Sequence, residues 1–484
     1  MHGFGAPERV GLAVMIALLW PIKIHAEGRQ QSLSLRTFDE VWQTVNESYY
    51  DKAFGGLDWE EIGDEYRKRA EDSTSAKTLR PILNDMLAEL GGSHFGVIPS
   101  YANLEDSALV QEASTTEEVA SEGNSEPNQT PESQADDEEP SNRKEVASNE
   151  SNHTDGDYSG VHLRLHKNMV IVSAVDIDSP AAKAGVAAGM VVTKIGKLDV
   201  TTFIAEATKE APATFSRDFF ILSVLGELTG AAEDDQQSLL VREPNKSTTQ
   251  TIGYRPIAYP GKMSKPFANM PPLPLRFNQN LIAAPNGELL YVAFNTFLPD
   301  LMPELRKTIR NANKEQVIGL IIDLRGNLGG VGVMANGLAG ILTDEQFSLG
   351  QMTMRDGHIN FIAYPQKKAF LGPVAVLVDR MSASTSEIFA AGLQERGRAK
   401  IIGRRTMGAA LPSFIRELPN GDRLQHAIAD YHTPEKRRIE GQGVIPDFTV
   451  ELRPKRLRRG LDADLDRAVK WLNRQTSKAP TKQH

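Results

Sequence analysis

The sequence predicts an α/β protein with a helical N-terminal region and a strand-rich module inserted ahead of the main sheet. Three observations carry that expectation. Residues 317–323 and Val374–Val378 are continuous apolar runs, the composition of parallel strands covered on both faces. Helix-spaced segments alternate with such strands from residue 286 to residue 453, the pattern of a layered βα sheet. Between residues 33 and 96, by contrast, apolar positions recur at helical spacing. A chain of 484 residues has room for two or three such units.

At the N-terminus, Arg9 precedes an apolar run from Val10 to Trp20, and Ala26 offers a small residue for cleavage. The run has the length of an export signal's core and is too short to span a bilayer. Residues 1–26 are expected to be a signal peptide, with a buried helix as the alternative. The expected setting is extracytoplasmic, periplasmic or secreted, with membrane tethering if the signal is kept. In the helical region of residues 27–102, Phe38, Val41, Trp42, Val45 and Tyr49 form one stripe. Leu79, Leu83, Met86, Leu87 and Leu90 form a second. Gly91-Gly92 then mark a helix exit, so Ser93-His94 are expected in a loop at a helix end.

The net charge of −9 is concentrated in one tract. Residues 103–157 hold 16 acidic and 2 basic residues, which leaves the rest of the chain mildly basic. That tract has almost no aromatic residues and cannot bury enough apolar surface to offset its ordering entropy, so it reads as a disordered acidic spacer. Nothing resembles a basic nucleic-acid-binding arm. With no cysteine in the chain, disulfides, thiol nucleophiles and cysteine-bound metals are excluded. No metal or cofactor is implied.

Residues 158–255 change character. Val161, Leu163 and Leu165 alternate, and residues 169–175 form an apolar strand. Ser179-Pro180-Ala181-Ala182-Lys183-Ala184-Gly185 then reads as a short helix with a glycine exit. A glycine turn leads to a strand that ends in Ile195-Gly196-Lys197. This order resembles the PDZ modules of exported bacterial proteases, with Met190 where aspartate is usual and a longer remainder over residues 205–240. The resemblance implies capture of a peptide C-terminus by the loop Ser159-Gly160-Val161.

Three further segments carry loop chemistry. Asp323-Leu324-Arg325-Gly326-Asn327-Leu328-Gly329-Gly330 follows a buried strand, and its glycines let the backbone approach a ligand closely. Ser382-Ala383-Ser384-Thr385-Ser386-Glu387 joins a strand to a helix, where a serine gains from the helix dipole. Ser384 and Glu387 also have capping-box spacing, which reads equally as helix initiation. Residues 439–447, with Glu440 and Gly441-Gln442-Gly443, form a polar turn before the last strand.

Together, in this order, the three segments resemble the tail-specific, or C-terminal-processing, protease family (peptidase family S41). The resemblance runs over residues 33–102 and 158–475. It implies an α/β catalytic domain of the ClpP/crotonase-like type over residues 256–475, with an N-terminal helical region, an inserted PDZ domain and a disordered tail from residue 476. It implies Ser384 as nucleophile and the Gly330 and Thr385 amides as oxyanion hole. One departure matters for mechanism. Most members carry a lysine base in a turn that here reads Thr406-Met407-Gly408-Ala409-Ala410, so the lysine position is Ala409. A minority branch, typified by the tricorn core protease, uses Ser, His and Glu, and Ser93, His94 and Glu440 match its positions. Neutral imidazole is a competent base, and a carboxylate behind it fixes its tautomer. By itself His94 reads as a loop histidine, with His358, His426 and His432 as rivals. The expected function is a serine endopeptidase acting on protein or peptide substrates, through their C-termini. The alternative is a catalytically inactive PDZ scaffold.

Overall fold

A computed structural model describes residues 32–98, 158–210, 217–231, 236–266, 272–312 and 315–476. The expectations for the signal peptide at residues 1–26 and the acidic spacer at 103–157 lie outside the described residues, as does all of the expected tail but residue 476.

The N-terminal region folds as three helices, α1 (Leu33–Ser48), α2 (Trp59–Glu71) and α3 (Ala76–Ala88), and ends in a short strand, β1 (Gly96–Ile98). Each helix begins on a side-chain cap, from Ser32, Asp58 and Ser75 respectively. Phe38, Val41, Val45, Leu79, Leu83 and Met86 are buried along the two predicted stripes. Tyr49, Phe54 and Trp59 stack at centroid spacings of 5.1 and 5.4 Å.

The inserted module opens with β2 (Val161–His166) and β3 (Met169–Val175), then the short α4 (Pro180–Ala184). Gly185 exits α4 at φ 99°, the left-handed conformation its motif predicted. β4 (Val191–Ile195) and β5 (Leu198–Asp199) form the predicted Ile-Gly-Lys hairpin. The longer remainder proves to be two helices, α5 (Val200–Glu210) and α6 (Arg217–Gly230), before β6 (Gln237–Arg242) and β7 (Thr249–Tyr254). Strand order is β2-β3-β4-β6-β7, which leaves β2 at an edge with α6 packed beside it.

After a two-stranded connection, β8 (Lys262–Met263) with β9 (Pro274–Leu275), the main unit begins. Its elements are β10 (Phe277–Ala284), β11 (Gly287–Phe294), α7 (Met302–Ala312), β12 (Gly319–Asp323) and α8 (Val333–Gly340). They are followed by β13 (Phe347–Met354), β14 (Gly357–Ala363), β15 (Val374–Val378), α9 (Thr385–Glu395) and β16 (Ala399–Gly403). The chain closes through β17 (Ser413–Glu417), β18 (Arg423–Ala427), β19 (Ala429–His432), β20 (Phe448–Thr449), α10 (Pro454–Leu457) and α11 (Ala463–Thr476). The central sheet runs β10-β11-β12-β15-β16-β20, parallel from β11 onward. β12 and β15 are buried at every residue, as their apolar runs predicted. Ligands of open parallel sheets bind beyond the carboxyl ends of the strands, and here those ends carry Asp323 and Asp379.

The helical region is not an independent unit. β1 pairs with β18, and the helices share one core with Leu411, Leu418, Leu424 and Ala427. Arg80 of α3 clamps buried Asp422 through two hydrogen bonds of 2.8 and 2.9 Å. The sequence divides these segments by more than 300 positions, yet the fold makes them one wall. That wall brings Ser93 and His94 to the strand ends.

Candidate active site

Ser384 sits where β15 hands over to α9, at φ 53° and ψ −119°. Few non-glycine residues adopt such a backbone, and it is held by surrounding bonds. Ser384 N–H donates to Ala409 O at 2.8 Å and to Glu387 Oε2 at 3.2 Å. Ser384 is half-buried, while Ser382, Thr385, Ser386 and Glu387 around it are buried. Glu387 thus reaches back to Ser384 as the capping spacing predicted, but it does more. Its carboxylate also takes Thr406 Oγ1 at 2.5 Å, Gly408 N–H at 2.8 Å and Ala409 N–H at 3.0 Å. Burial pushes its pKa up to about 7 against those four donors. The spacing predicts a cap from Glu387 and does not predict this hub.

The glycine loop packs directly on the serine turn. Asn327 is fully buried; its carbonyl accepts from Ala383 N–H at 3.1 Å and from Ser386 Oγ at 2.9 Å. Gly329, at φ 95°, lies so close that a Cβ there would sit 2.8 Å from both Ser384 Cβ and Thr385 N. This is the close backbone approach the glycines predicted. Thr385 Oγ1 donates to Gly330 O at 2.7 Å, which ties the two predicted oxyanion residues together. Neither the Gly330 nor the Thr385 N–H has an acceptor among the described residues, and Gly330 is exposed. Two free amides beside a serine at a helix N-terminus suit a developing oxyanion.

Asp323 and Arg325 of this motif do not face that space. Arg325 bonds Asp323 at 2.6 Å, Asp462 at 2.8 Å and Asp464 at 3.0 Å, and Arg404 joins Asp464 from the other side. The motif's charged half is a structural ion-pair hub behind the loop.

His94 occupies the predicted loop after α3, at φ 61°. Ser93 Oγ lies 2.7 Å from His94 Nδ1. Glu440 Oε1 accepts Ser93 N–H at 2.5 Å, and Glu440 Oε2 accepts Ser93 Oγ at 3.0 Å and Ala410 N–H at 3.0 Å. The expected direct Glu440–His94 pair is therefore replaced by a relay with Ser93 in the middle. The relay assigns the tautomer. Ser93 has one hydroxyl proton, and an ionised Glu440 only accepts. Ser93 Oγ must then accept from Nδ1–H, which leaves the Nε2 lone pair available as a base. No hydrogen bond joins His94 to Ser384 in this conformation. The two are linked through one peptide unit: Ala409 O receives Ser384, and Ala410 N–H holds Glu440.

The turn that lacks the lysine is thus the bridge. Ala409 and Ala410 are buried, and their backbone does the connecting. Gly408 packs against the Gly441-Gln442-Gly443 turn, where a Cβ would lie 2.9 Å from Gly443 N. The rival histidines are engaged elsewhere or exposed. His426 Nδ1 pairs with Ser48 Oγ at 3.0 Å, His432 lies 4.0 Å from Asp430, and His358 is on the exposed face of β14. Lys400 pairs with Asp447.

Burial lowers the His94 pKa to about 4, below the range of an ordinary histidine. Burial also raises Glu440, against the Ser93 and Ala410 donors. The imidazole therefore stays neutral to lower pH, and the acid limb of any His94-dependent rate would move downward. In Glu440→Gln, where the raised Glu440 carboxyl no longer titrates, a plot of residual kcat/KM against pH is expected to reach half-maximum near the His94 value of about 4. A half-maximum between about 6 and 7, the range of an ordinary histidine, would contradict this environment.

In the inserted module, Ser159 and Gly160 are buried and Val161 opens β2. Val161 N–H is taken by Ser159 Oγ at 3.2 Å, while the Ser159 and Gly160 N–H groups have no acceptor among the described residues. Arg164 of β2 crosses to buried Asp379 at 2.6 Å, and Asp379 in turn accepts Gly326 N–H at 3.0 Å. Burial favours a neutral Asp379, but Arg164 and Arg404 outweigh it and its pKa is lowered. The sequence offered no signal for this contact.

Comparison with known proteins is consistent with this arrangement. Residues 288–450 match the model of peptidase family S41, and residues 36–88 match that of the tricorn protease C1 domain. The chain is 25% identical over 307 residues to a carboxyl-terminal-processing protease of Picosynechococcus sp., covering 62% of this chain and 66% of that protein. It is 24% identical over 301 residues to a probable CtpA-like serine protease of Staphylococcus saprophyticus, covering 61% and 54%. The matches thus span less than two thirds of these relatives. Among solved structures, the photosystem II D1 C-terminal processing protease aligns with a TM-score of 0.54 at 22% identity, over 92% of this chain and 98% of that one. Mature CPAF aligns with a TM-score of 0.58 at 13% identity, over 93% and 99%. These two likenesses speak to the fold.

Proposed function

We propose that this chain, whose residues 288–450 match the model of peptidase family S41, is a serine endopeptidase that cleaves protein or peptide substrates through an acyl-enzyme. The observation that carries the reading is the Glu440–Ser93–His94 relay, held one peptide unit from a strained Ser384. Ser384 Oγ attacks the carbonyl carbon while His94 Nε2 takes its proton. The oxyanion that forms is held by the Gly330 and Thr385 N–H groups. As His94 becomes cationic, Ser93 Oγ accepts from Nδ1–H and the Glu440 carboxylate behind it balances the charge. His94 then returns the proton to the leaving amine, and water resolves the ester by the same route.

The same reading assigns the inserted module to a PDZ domain that receives substrate C-termini as an added strand. Its support is the edge position of β2 beside α6 and the two free amides at Ser159 and Gly160. A peptide with a free, apolar C-terminal residue is expected to bind at least about tenfold tighter than its amidated form, since the carboxylate is what those amides would hold. Equal affinities by calorimetry would contradict carboxylate capture. Residues 1–26, read as an export segment, fit an extracytoplasmic setting. An inactive scaffold would account for the missing lysine, but it leaves the ordered relay without a role.

The test is peptide cleavage by the purified full chain. Hydrolysis that disappears in Ser384→Ala supports the reading; equal hydrolysis in that variant overturns it.

A further inference from the structure

We infer that a basic cavity at the sheet's opposite end from Ser384 binds a phosphate-bearing anion. The cavity has a volume of about 630 Å³ and is lined by Pro303, Arg306, Lys307, Arg310, Asn311, Lys367 and Lys368. Two elements line it: α7 and the segment that leads into β15. The parallel strands carry Ser384's surroundings at their carboxyl ends. α7 runs back toward the start of β12, and Lys367 and Lys368 precede β15, so this cavity lies near the strands' amino ends.

Two independent observations point to a missing ligand. The first is charge: five cations and no carboxylate line the wall. Arg306, Lys307 and Lys367 form no ion pair with any described residue, and among the described residues Arg310 donates to Gln366 Oε1 at 3.2 Å. Glu304 and Glu315 lie in the adjoining cleft beside Lys307. Packing like charges this closely is unfavourable, and an anion relieves it. The second is an unmet hydrogen-bonding need. The Nε atoms of both Arg306 and Arg310 are buried without an acceptor. Buried donors are normally paired, and each such exception calls for a partner.

The arginines are also held in place. Arg306 lies over Gly337 of α8, where a Cβ would come within 3.1 Å of Nη2. Gln366, the partner of Arg310, is itself fixed by Nε2 to Gly337 O at 2.9 Å and by its N–H to Gly340 O at 2.9 Å. A planar guanidinium fork held in this way matches phosphate oxygens, and the flanking lysines add point charges for a second phosphate or a higher charge state. The ligand chemistry is therefore a phosphate group of more than one charge, either free in solution or displayed on an anionic lipid headgroup.

The experiment uses the full chain at low salt, with inorganic pyrophosphate followed by calorimetry and vesicles of phosphatidylglycerol or phosphatidylcholine followed by co-sedimentation. Saturable pyrophosphate binding near one site per chain, or retention on phosphatidylglycerol but not phosphatidylcholine vesicles, supports the site and distinguishes the two sources. In either arm, Arg306→Gln with Arg310→Gln is expected to weaken binding by about tenfold or more. If that pair fails to fold, Lys307→Gln with Lys367→Gln removes two exposed charges of the same wall and is expected to weaken binding by about threefold or more. Lys455→Gln, an exposed charge on α10, should leave binding unchanged. No binding to either probe, or binding that neither pair of wall substitutions weakens, overturns the proposal.

Discussion

His94→Ala is expected to abolish peptide hydrolysis as completely as Ser384→Ala, a loss of about 10⁴-fold or more, because members of a nucleophile–base unit fail together. The relay makes the expectation graded as well as large. Ser93→Ala removes the hydroxyl that receives Nδ1–H at 2.7 Å and also leaves one Glu440 oxygen with a lost donor. It should cost more than Glu440→Gln, which keeps a side chain near Ser93 but supplies no charge to balance the imidazolium. All four substitutions should act on kcat far more than on KM, since none of the altered groups lines the module proposed to bind the C-terminus. Initial rates on one peptide, compared across the four variants, check the order. Near-wild-type turnover in His94→Ala, with Ser384→Ala inactive, would show that another base is at work.

Arg325→Met is expected to destabilise the fold by about 3–5 kcal/mol, the largest stability effect foreseen here, because it leaves buried carboxylates without their partner. Arg325 is embraced by Asp323, Asp462 and Asp464, of which Asp323 and Asp464 are almost fully buried. Burial works to lower the Arg325 pKa, but the three aspartates overcome it and hold it well above its ordinary value. Arg404 would still contact Asp464, so the damage should fall chiefly on Asp323 and Asp462. Since Asp323 ends β12 and begins the glycine loop, the same substitution should loosen the oxyanion side of the site. A urea titration measures the cost through a lower midpoint at an unchanged slope. A change smaller than about 1 kcal/mol, the value of an exposed pair, would mean that the hub is solvated.

How far the sequence could be read depended on the range of the interaction. Strands such as Val374–Val378 announced themselves because burial on both faces demands a continuous apolar run, and the structure returns those bounds unchanged. The SPAAKAG helix and its left-handed Gly185 were equally legible, since capping and glycine chemistry are local. The loop positions of Ser93-His94 and Ser384 followed from helix ends for the same reason. What local pattern could not give was the partner of each group. Glu440 was assigned to His94, and the structure puts Ser93 between them, a distinction of one residue that only three-dimensional geometry resolves. Glu387 read as a helix cap because its spacing from Ser384 is a capping spacing; its bonds to Thr406, Gly408 and Ala409 span about twenty positions of sequence and left no trace there. The lowered His94 pKa was not legible because burial is a property of the surroundings, not of the residue. Asp-x-Arg, read as part of a ligand loop, has its charged half turned to Asp462 and Asp464 at the start of α11, more than 130 positions away.

The most direct test of the central claim is labelling with a fluorophosphonate, which reacts with a serine only when base and oxyanion donors are assembled around it. One modified residue is expected in the full chain, Ser384 by peptide mass mapping, with labelling lost in His94→Ala although Ser384 is intact. Modification at another serine, or undiminished labelling of Ser384 without His94, would contradict it.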